Sequence, residues 1–233
     1  MKQQSNPVYL ILLIIVSCIL LFRCDDDSVV IEKLYHEYFP VNTGHWVIYN
    51  VDSIVYDDFT GNIDTFHYQV KEVFEEKFID DSGKEAIRLE RFIRWETDQD
   101  WQIKNAWVAR LLPSRAEKVE ENIRFIKLAF PVKINKNWNG NAYNSMPEQT
   151  YRYTDVHKPY TINELSFDSV ATVLQKDDKT LISKEYQVEK FAKNAGMIYK
   201  EYINLKTEVD GSVISGVDYR YEIVDYCNKN LNN

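Results

Sequence analysis

Beyond Val30 the chain alternates apolar and polar residues with a period of two. Val47, Tyr49 and Val51 alternate with Ile48 and Asn50. Phe66, Tyr68 and Val70 alternate with His67, Gln69 and Lys71. Ile87, Leu89, Ile93 and Trp95 continue the rhythm, with Arg91 breaking their apolar face. Trp101, Ile103, Trp107, Ala109 and Leu111 follow, then Met197, Tyr199, Ile203, Leu205 and Val209, then Val217, Tyr219, Tyr221 and Ile223. Side chains on a strand point alternately to its two faces, so this pattern predicts strands with one buried and one wet face, hence antiparallel sheet.

Turn-forming residues punctuate these runs: 57–62 (DDFTGN), 80–84 (DDSGK), 177–179 (DDK), 194–196 (NAG) and 210–212 (DGS). Gly, Asn and Asp supply the positive φ and local hydrogen bonds that hairpins need. Nine or ten strands result, many near ten residues long by this reading. Long strands joined by short turns make a meander that must curl to hide its edges. The predicted fold is all-β and mainly antiparallel: a long-stranded curved meander sheet, a half-barrel or open barrel, with little helix beyond the N-terminal signal segment. Segment 114–121 fits one charged helical turn or a polar strand edge, and 191–194 fits a turn. Segment 135–163, with Asn139-Gly140-Asn141, Met146-Pro147 and Lys158-Pro159, reads as long loops between the two halves of the sheet.

The front of the chain differs. Residues 8–22 are almost wholly apolar, and Lys2 precedes them. The run falls short of the roughly 20 residues a membrane-spanning helix needs and reads as a secretory signal. It ends at Cys24, followed by Asp25, Asp26 and Asp27. A cysteine between an apolar and an acidic run looks like a lipoprotein processing site, with Leu21 three residues before it and Arg23 in the place usually held by a small residue. Cys18, after Ile15-Val16-Ser17, is the alternative. Three successive acids after the cysteine resemble the export signal of surface-displayed lipoproteins in some Gram-negative phyla, while an Asp in that place resembles an inner-membrane retention signal in others. The predicted organisation is a signal peptide over 1–23, an acidic tether over 24–33, one β-rich domain over 34–227 and a tail over 228–233. The expected location is the cell envelope, lipid-anchored in the outer membrane and facing outward.

Composition sharpens this picture in three places. The formal net charge is −8, and cleavage would remove Lys2 and Arg23. An acidic body repels phosphates, so nucleic acid is set aside as a partner. Sixteen Tyr, 11 Phe and 5 Trp against 7 Gly and 6 Pro suit strands. With Cys18 cleaved and Cys24 acylated, Cys227 alone remains and no internal disulfide forms.

Phe39-Pro40-Val41, then Gly44 and Trp46, is echoed by Phe130-Pro131-Val132, then Trp138 and Gly140. The pair suggests two equivalent sheet corners. The first block, with Tyr38, Asn42, Thr43 and Tyr49, resembles the opening motif of a family of uncharacterised bacterial envelope lipoproteins. The second block resembles that family's second such motif, and 192–201 (AKNAGMIYKE) its late turn and strand. Trp46 stands one place earlier than the family pattern has it. The resemblance implies a β-rich secreted domain and no established catalytic residues.

Few residues carry chemistry. His36, His45, His67 and His157 lack metal-ligand spacing, and neither a nucleophile elbow nor a phosphate loop occurs. The turn over 57–64 has calcium-type oxygens at the wrong spacing for an EF-hand. Glu90 and Glu96 are nominal candidates for a glycosidase pair. Trp95, Trp101 and Trp107 are the candidate ligand-contact aromatics, able to hold an apolar or sugar ligand if they line a concave sheet. No catalytic residue, metal ligand or cofactor is assigned. The expected function is a non-enzymatic binding or structural module of the envelope, meeting the membrane through its lipid, with an envelope protein or a small hydrophobic or glycan ligand as the expected further partner. A half-barrel carrier of acyl chains and a hydrolase of envelope glycans or peptides are the rivals.

Overall fold

In the computed structural model, which describes residues 32–227, the alternation becomes twelve antiparallel strands of a single sheet. β1 (Trp46–Tyr56) buries Val47, Tyr49 and Val51 and turns at 57–62 into β2 (Ile63–Ile79). β3 (Glu85–Arg94), β4 (Gln102–Leu112), β5 (Arg115–Glu120) and β6 (Ile123–Ala129) continue the meander. A second meander comprises β7 (Asn137–Asn139), β8 (Thr150–Ile162), β9 (Leu165–Lys179), β10 (Ser183–Ala192), β11 (Gly196–Thr207) and β12 (Val213–Cys227). The two six-stranded halves join where β1 pairs with β12, from Trp46 opposite Cys227 to Tyr56 opposite Gly216. The sheet curls into a nearly closed barrel with one unsealed seam, between β6 and β7. This is the open, antiparallel, curved architecture that the alternation predicts. No α-helix occurs among the described residues.

Two local readings are corrected and a third is decided. Segment 135–163 is not a run of loops, because β8 takes thirteen of its residues. Register shifts between Tyr153 and Tyr160 let the strand bend past Lys158-Pro159 while staying paired to β9. The turn placed at 177–179 falls at 180–182, because β9 runs through Lys179 and Thr180 bonds Ser183. Of the two readings of 114–121, the strand holds: it is β5.

The two Phe-Pro-Val blocks occupy matching places: each leads into the first strand of a half, with Trp46 opening β1 and Trp138 central in β7. Phe39 and Phe130 lie in the same apolar cluster, with Ile87, Leu89, Tyr153 and Phe191. A short 3-10 turn, His36–Tyr38, carries Tyr38 into that cluster, where its hydroxyl meets His157 Nδ1 and Ser169 Oγ, both at 2.8 Å. His45 is buried against the carbonyl oxygens of Cys227 (2.7 Å) and Ala195 (3.0 Å), which ties the start of β1 to the end of β12.

At the seam, β6 and β7 form no ladder, yet the outward backbone groups of β6 are occupied. The Ile126 N–H donates to the Gly140 carbonyl at 2.9 Å, and Trp138 Nε1 donates to the Ile126 carbonyl at 3.0 Å. Asn144 Nδ2 donates to the Arg124 carbonyl at 2.8 Å. The Tyr153 hydroxyl accepts from the Ala129 N–H at 3.2 Å and donates to the Ala129 carbonyl at 3.1 Å. An unpaired edge is a template for another chain's strand, and side chains here remove the template. Tyr151 packs so closely on Gly140 that a β-carbon there would meet its ring at 2.4 Å.

Gly216, on β12, has φ of 126°, and a β-carbon there would stand 2.1 Å from the Asn204 carbonyl oxygen. Gly61 has φ of 70° and open space around it. Gly216→Ala is therefore expected to destabilise the fold by about 3 kcal/mol, and Gly61→Ala by only about 1 kcal/mol, in urea unfolding followed by circular dichroism. Equal effects would show that β11 and β12 can part to accept the methyl group.

Candidate functional site: a charged cavity inside the sheet

Charged residues interrupt the apolar inward faces of β2 and β3. On β2 the face runs Phe74, Glu72, Val70, Tyr68, and on β3 Ile87, Leu89, Arg91. Register brings the charged positions level. Glu72 lies opposite Arg91 across β2 and β3, and Arg91 opposite Asn105 on β4. Glu189 on β10 lies opposite Lys200 on β11, which lies opposite Tyr221 on β12.

These side chains form two linked groups. Arg91 Nε donates to Glu72 Oε1 and Lys118 Nζ to Glu72 Oε2, both at 3.0 Å, with all three side chains at most 6% exposed. The Arg91 guanidinium stacks on Trp107, 3.6 Å from the ring centre, and reaches the Tyr221 hydroxyl at 3.4 Å. In the second group Lys127 Nζ donates to Glu189 Oε1 at 2.6 Å and pairs with Glu120 at 3.3 Å. Lys200 stands farther off, 3.7 Å from Glu189 and 3.9 Å from Glu120.

Burial by itself raises a carboxyl pKa, but here neighbouring cations reverse the shift. Lys118 and Arg91 hold Glu72 below the usual carboxylate range, and Lys127 and Lys200 do the same for Glu120. Burial likewise disfavours the ammonium groups of Lys127 and Lys200, and Glu120 and Glu189 overcome it, so both lysines are pushed upward. All four stay charged at neutral pH.

Around these groups lie two adjoining hollows that share Glu120, Phe125, Lys200 and Tyr219. The first, about 400 Å³, is walled by Trp107, Tyr68 and Tyr221 beside the Glu72 group. The second, about 420 Å³, is walled by Gln149, Gln175, Gln187 and Tyr202. Volumes of this order suit small-molecule sites. A separate charged cluster, Arg110 with Glu117 at 2.7 Å and with Asp80, pins the turn after β2 onto β4 and β5 and lines neither hollow.

The structure separates the three tryptophans. Trp107 reaches the first hollow. Trp95 stands half exposed against Tyr68 and Phe66, and Trp101 precedes β4 and lies under Arg94, 4.4 Å from its guanidinium. A register shift between Arg91 and Phe92 breaks the regular face that would have joined them and leaves Ile103 78% exposed. Glu90 pairs with Arg88 at 2.9 Å, Glu96 lies in the exposed β3–β4 turn, and His67 pairs with Asp52 at the surface. In the 57–64 turn, Asp57 Oδ1 accepts the N–H groups of Phe59 and Thr60, both at 2.8 Å, and no grouping able to hold a metal occurs among the described residues. Cys18, Cys24, Asp25, Asp26 and Asp27 lie outside the described residues.

The sequence reading missed Glu72, Lys118, Glu120, Lys127, Glu189 and Lys200. The available signal was a charged residue in phase with buried ones: Glu72 follows Tyr68 and Val70 at the same period, as Arg91 follows Leu89.

No family model and no curated protein matches the chain. Two solved structures are similar to it. One is a Bacteroides fragilis protein assigned as exported and described with a YmcC-like fold: TM-score 0.44, 10% identity, covering 81% of this chain and 98% of that one. The other is a Parabacteroides distasonis protein assigned as a lipoprotein: TM-score 0.32, 10% identity, covering 84% of this chain and 100% of that one.

Removing Arg91 strands the buried Glu72 with a single counter-charge, so Arg91→Met is expected to cost about 3–5 kcal/mol in urea unfolding at pH 7. Glu72 and Glu120 are depressed in the folded state, so their contribution is complete above the unfolded glutamate pKa of about 4.3 and is lost as pH falls below it. Wild-type stability should therefore fall progressively as pH drops below about 4, and the fall should be shallower in Glu72→Gln. Parallel pH profiles for the two proteins would rule Glu72 out as a source of the acid sensitivity.

Proposed function

We propose that this chain is a lipid-anchored protein of the bacterial cell envelope whose barrel binds a small polar ligand and performs no chemistry on it. The anchor rests on the apolar run over 8–22, its end at Cys24 and the acids Asp25, Asp26 and Asp27. By the resemblance of that acidic run to an export signal, the protein sits in the outer membrane and faces outward. The binding reading is carried by one observation: the inner wall of the sheet is charged and hydrogen-bonding around two hollows.

The rival readings fit that wall less well. An acyl carrier needs a continuous apolar channel, and a chain entering here would strip solvent from Glu120 and Lys200 without replacing it. A glycosidase needs one carboxyl held protonated near neutral pH. Glu72 and Glu120 are driven the opposite way.

Intact-mass analysis of membrane-extracted protein should show cleavage before Cys24 and an acylated cysteine, and Cys24→Ala should leave the membrane fraction while Cys18→Ala stays. Retention of Cys24→Ala in the membrane with an unmodified N-terminus would overturn the anchor. A fluorescent fatty acid should show no saturable binding to the detergent-solubilised protein, and stoichiometric binding would replace the polar-ligand reading with the carrier.

A further inference from the structure

We propose that the cavity takes a small organic anion, a carboxylate or phosphate ester that also carries hydroxyl or amide groups. Its charged end lies between Lys104 and Lys200 and its polar remainder against Gln175. This rests on the reading of the barrel as a binding module and narrows its ligand.

The first support is how the wall charges are committed. Glu72 is taken by Arg91 and Lys118, and Glu189 accepts from Lys127 at 2.6 Å. Glu121 accepts from Asn105 and, at 3.1 Å, from Trp107 Nε1. Two ammonium groups on the first hollow have no carboxylate at hydrogen-bond length. Lys200 Nζ lies 3.7 and 3.9 Å from its nearest carboxylate oxygens, beyond hydrogen-bond length. Lys104 makes no ion pair among the described residues and rests 5.3 Å from the Tyr68 ring centre. Lys104 is exposed as a residue, but partial desolvation on the wall of the hollow and the positive charge of Arg91 push its pKa down. An anion between these two lysines relieves that field, whereas a cation would add to it.

The second support is an unpartnered donor. Gln175 is 6% exposed, lines the second hollow, and its Nε2 has no hydrogen-bond partner. Gln149 Nε2 cannot supply one, since an amide nitrogen donates and does not accept; it donates to the Gln175 carbonyl and to Gln187 Oε1, each at 3.1 Å. A buried amide N–H needs an acceptor; Nε2 is closed off as the side chain stands, and a turn of the Gln175 amide toward the hollow would bring it to a hydroxyl or carbonyl oxygen of the ligand. The other unpartnered buried atom, Glu189 Oε2, does not line either hollow. Trp107 and the parallel pair Tyr202 and Tyr219, 4.9 Å apart, offer flat walls to the body of such a ligand.

The test is isothermal titration of the full-length, detergent-solubilised protein at pH 7 with D-glucuronate, D-glucose 6-phosphate and D-glucose. At least one anion should bind tenfold or more tightly than glucose, and which one binds distinguishes carboxylate from phosphate. Lys104→Met and Lys200→Met should each weaken that binding at least tenfold, and Gln175→Leu should weaken it by a smaller factor. Lys104 makes no ion pair, so its variant carries the test should Lys200→Met fail to fold. The proposal is overturned if neither anion binds up to about 10 mM, if glucose binds as tightly as both, or if Lys104→Met binds like wild type. Glucose binding alone would sink the anion and leave a polar binding module. Fatty-acid binding would sink both readings.

Discussion

Glu72 lies inside the sheet with Arg91 on one carboxylate oxygen and Lys118 on the other. This three-membered charge group is the constraint around which the interior is arranged. A lone ionised carboxylate in that position would be costly in desolvation, and either cation alone would leave part of it uncompensated. The group therefore requires β2, β3 and β5 to hold their relative positions. The opposing pair Glu189 and Lys127 makes the same demand on β10 and β6, from the two halves of the chain. Apolar packing would tolerate sliding of these strands, but paired charges do not.

That demand explains why the interior remains hollow. Charged heads need separation and polar neighbours, so Tyr68, Tyr221 and the three glutamines stand where a wholly apolar barrel would close with aliphatic side chains. The apolar cluster instead gathers beside the segment that precedes β1, where Tyr38 and Phe39 pack on Leu89, Tyr153 and Phe191. The fold thus combines an apolar region that supplies stability with a charged region that keeps open space. Lys104 and Lys200 sit in the charged region with no acid at hydrogen-bond distance, which gives the hollow its chemical character.

Barrel closure follows a similar division of labour. Pairing of β1 with β12 uses backbone ladders and joins the ends of the described chain. The opposite junction, between β6 and β7, has no ladder, and Trp138, Asn144 and Tyr153 satisfy its backbone groups instead. Side chains can do this because β7 has only three residues and Gly140, just after it, leaves room for the Tyr151 ring.

The sequence by itself determined the strand class and most turns, and it carries the expectation of an N-terminal export address. Period-two alternation, Gly/Asn/Asp punctuation and an apolar run ending at Cys24 are local properties, written within a few residues of one another. It misplaced β8, because Lys158-Pro159 and the Asn-rich stretch before it look like loop, and only pairing with β9 makes that segment a strand. It grouped Trp95, Trp101 and Trp107, which a single register shift then sent to different places. It read Arg91 as an interruption, because its acid Glu72 is 19 positions away along the chain and Lys118, the cation that shares that acid, is 27. Tertiary structure alone decided which charges face inward and whether they meet, because the worth of a buried charge is set by neighbours that only the folded sheet brings together.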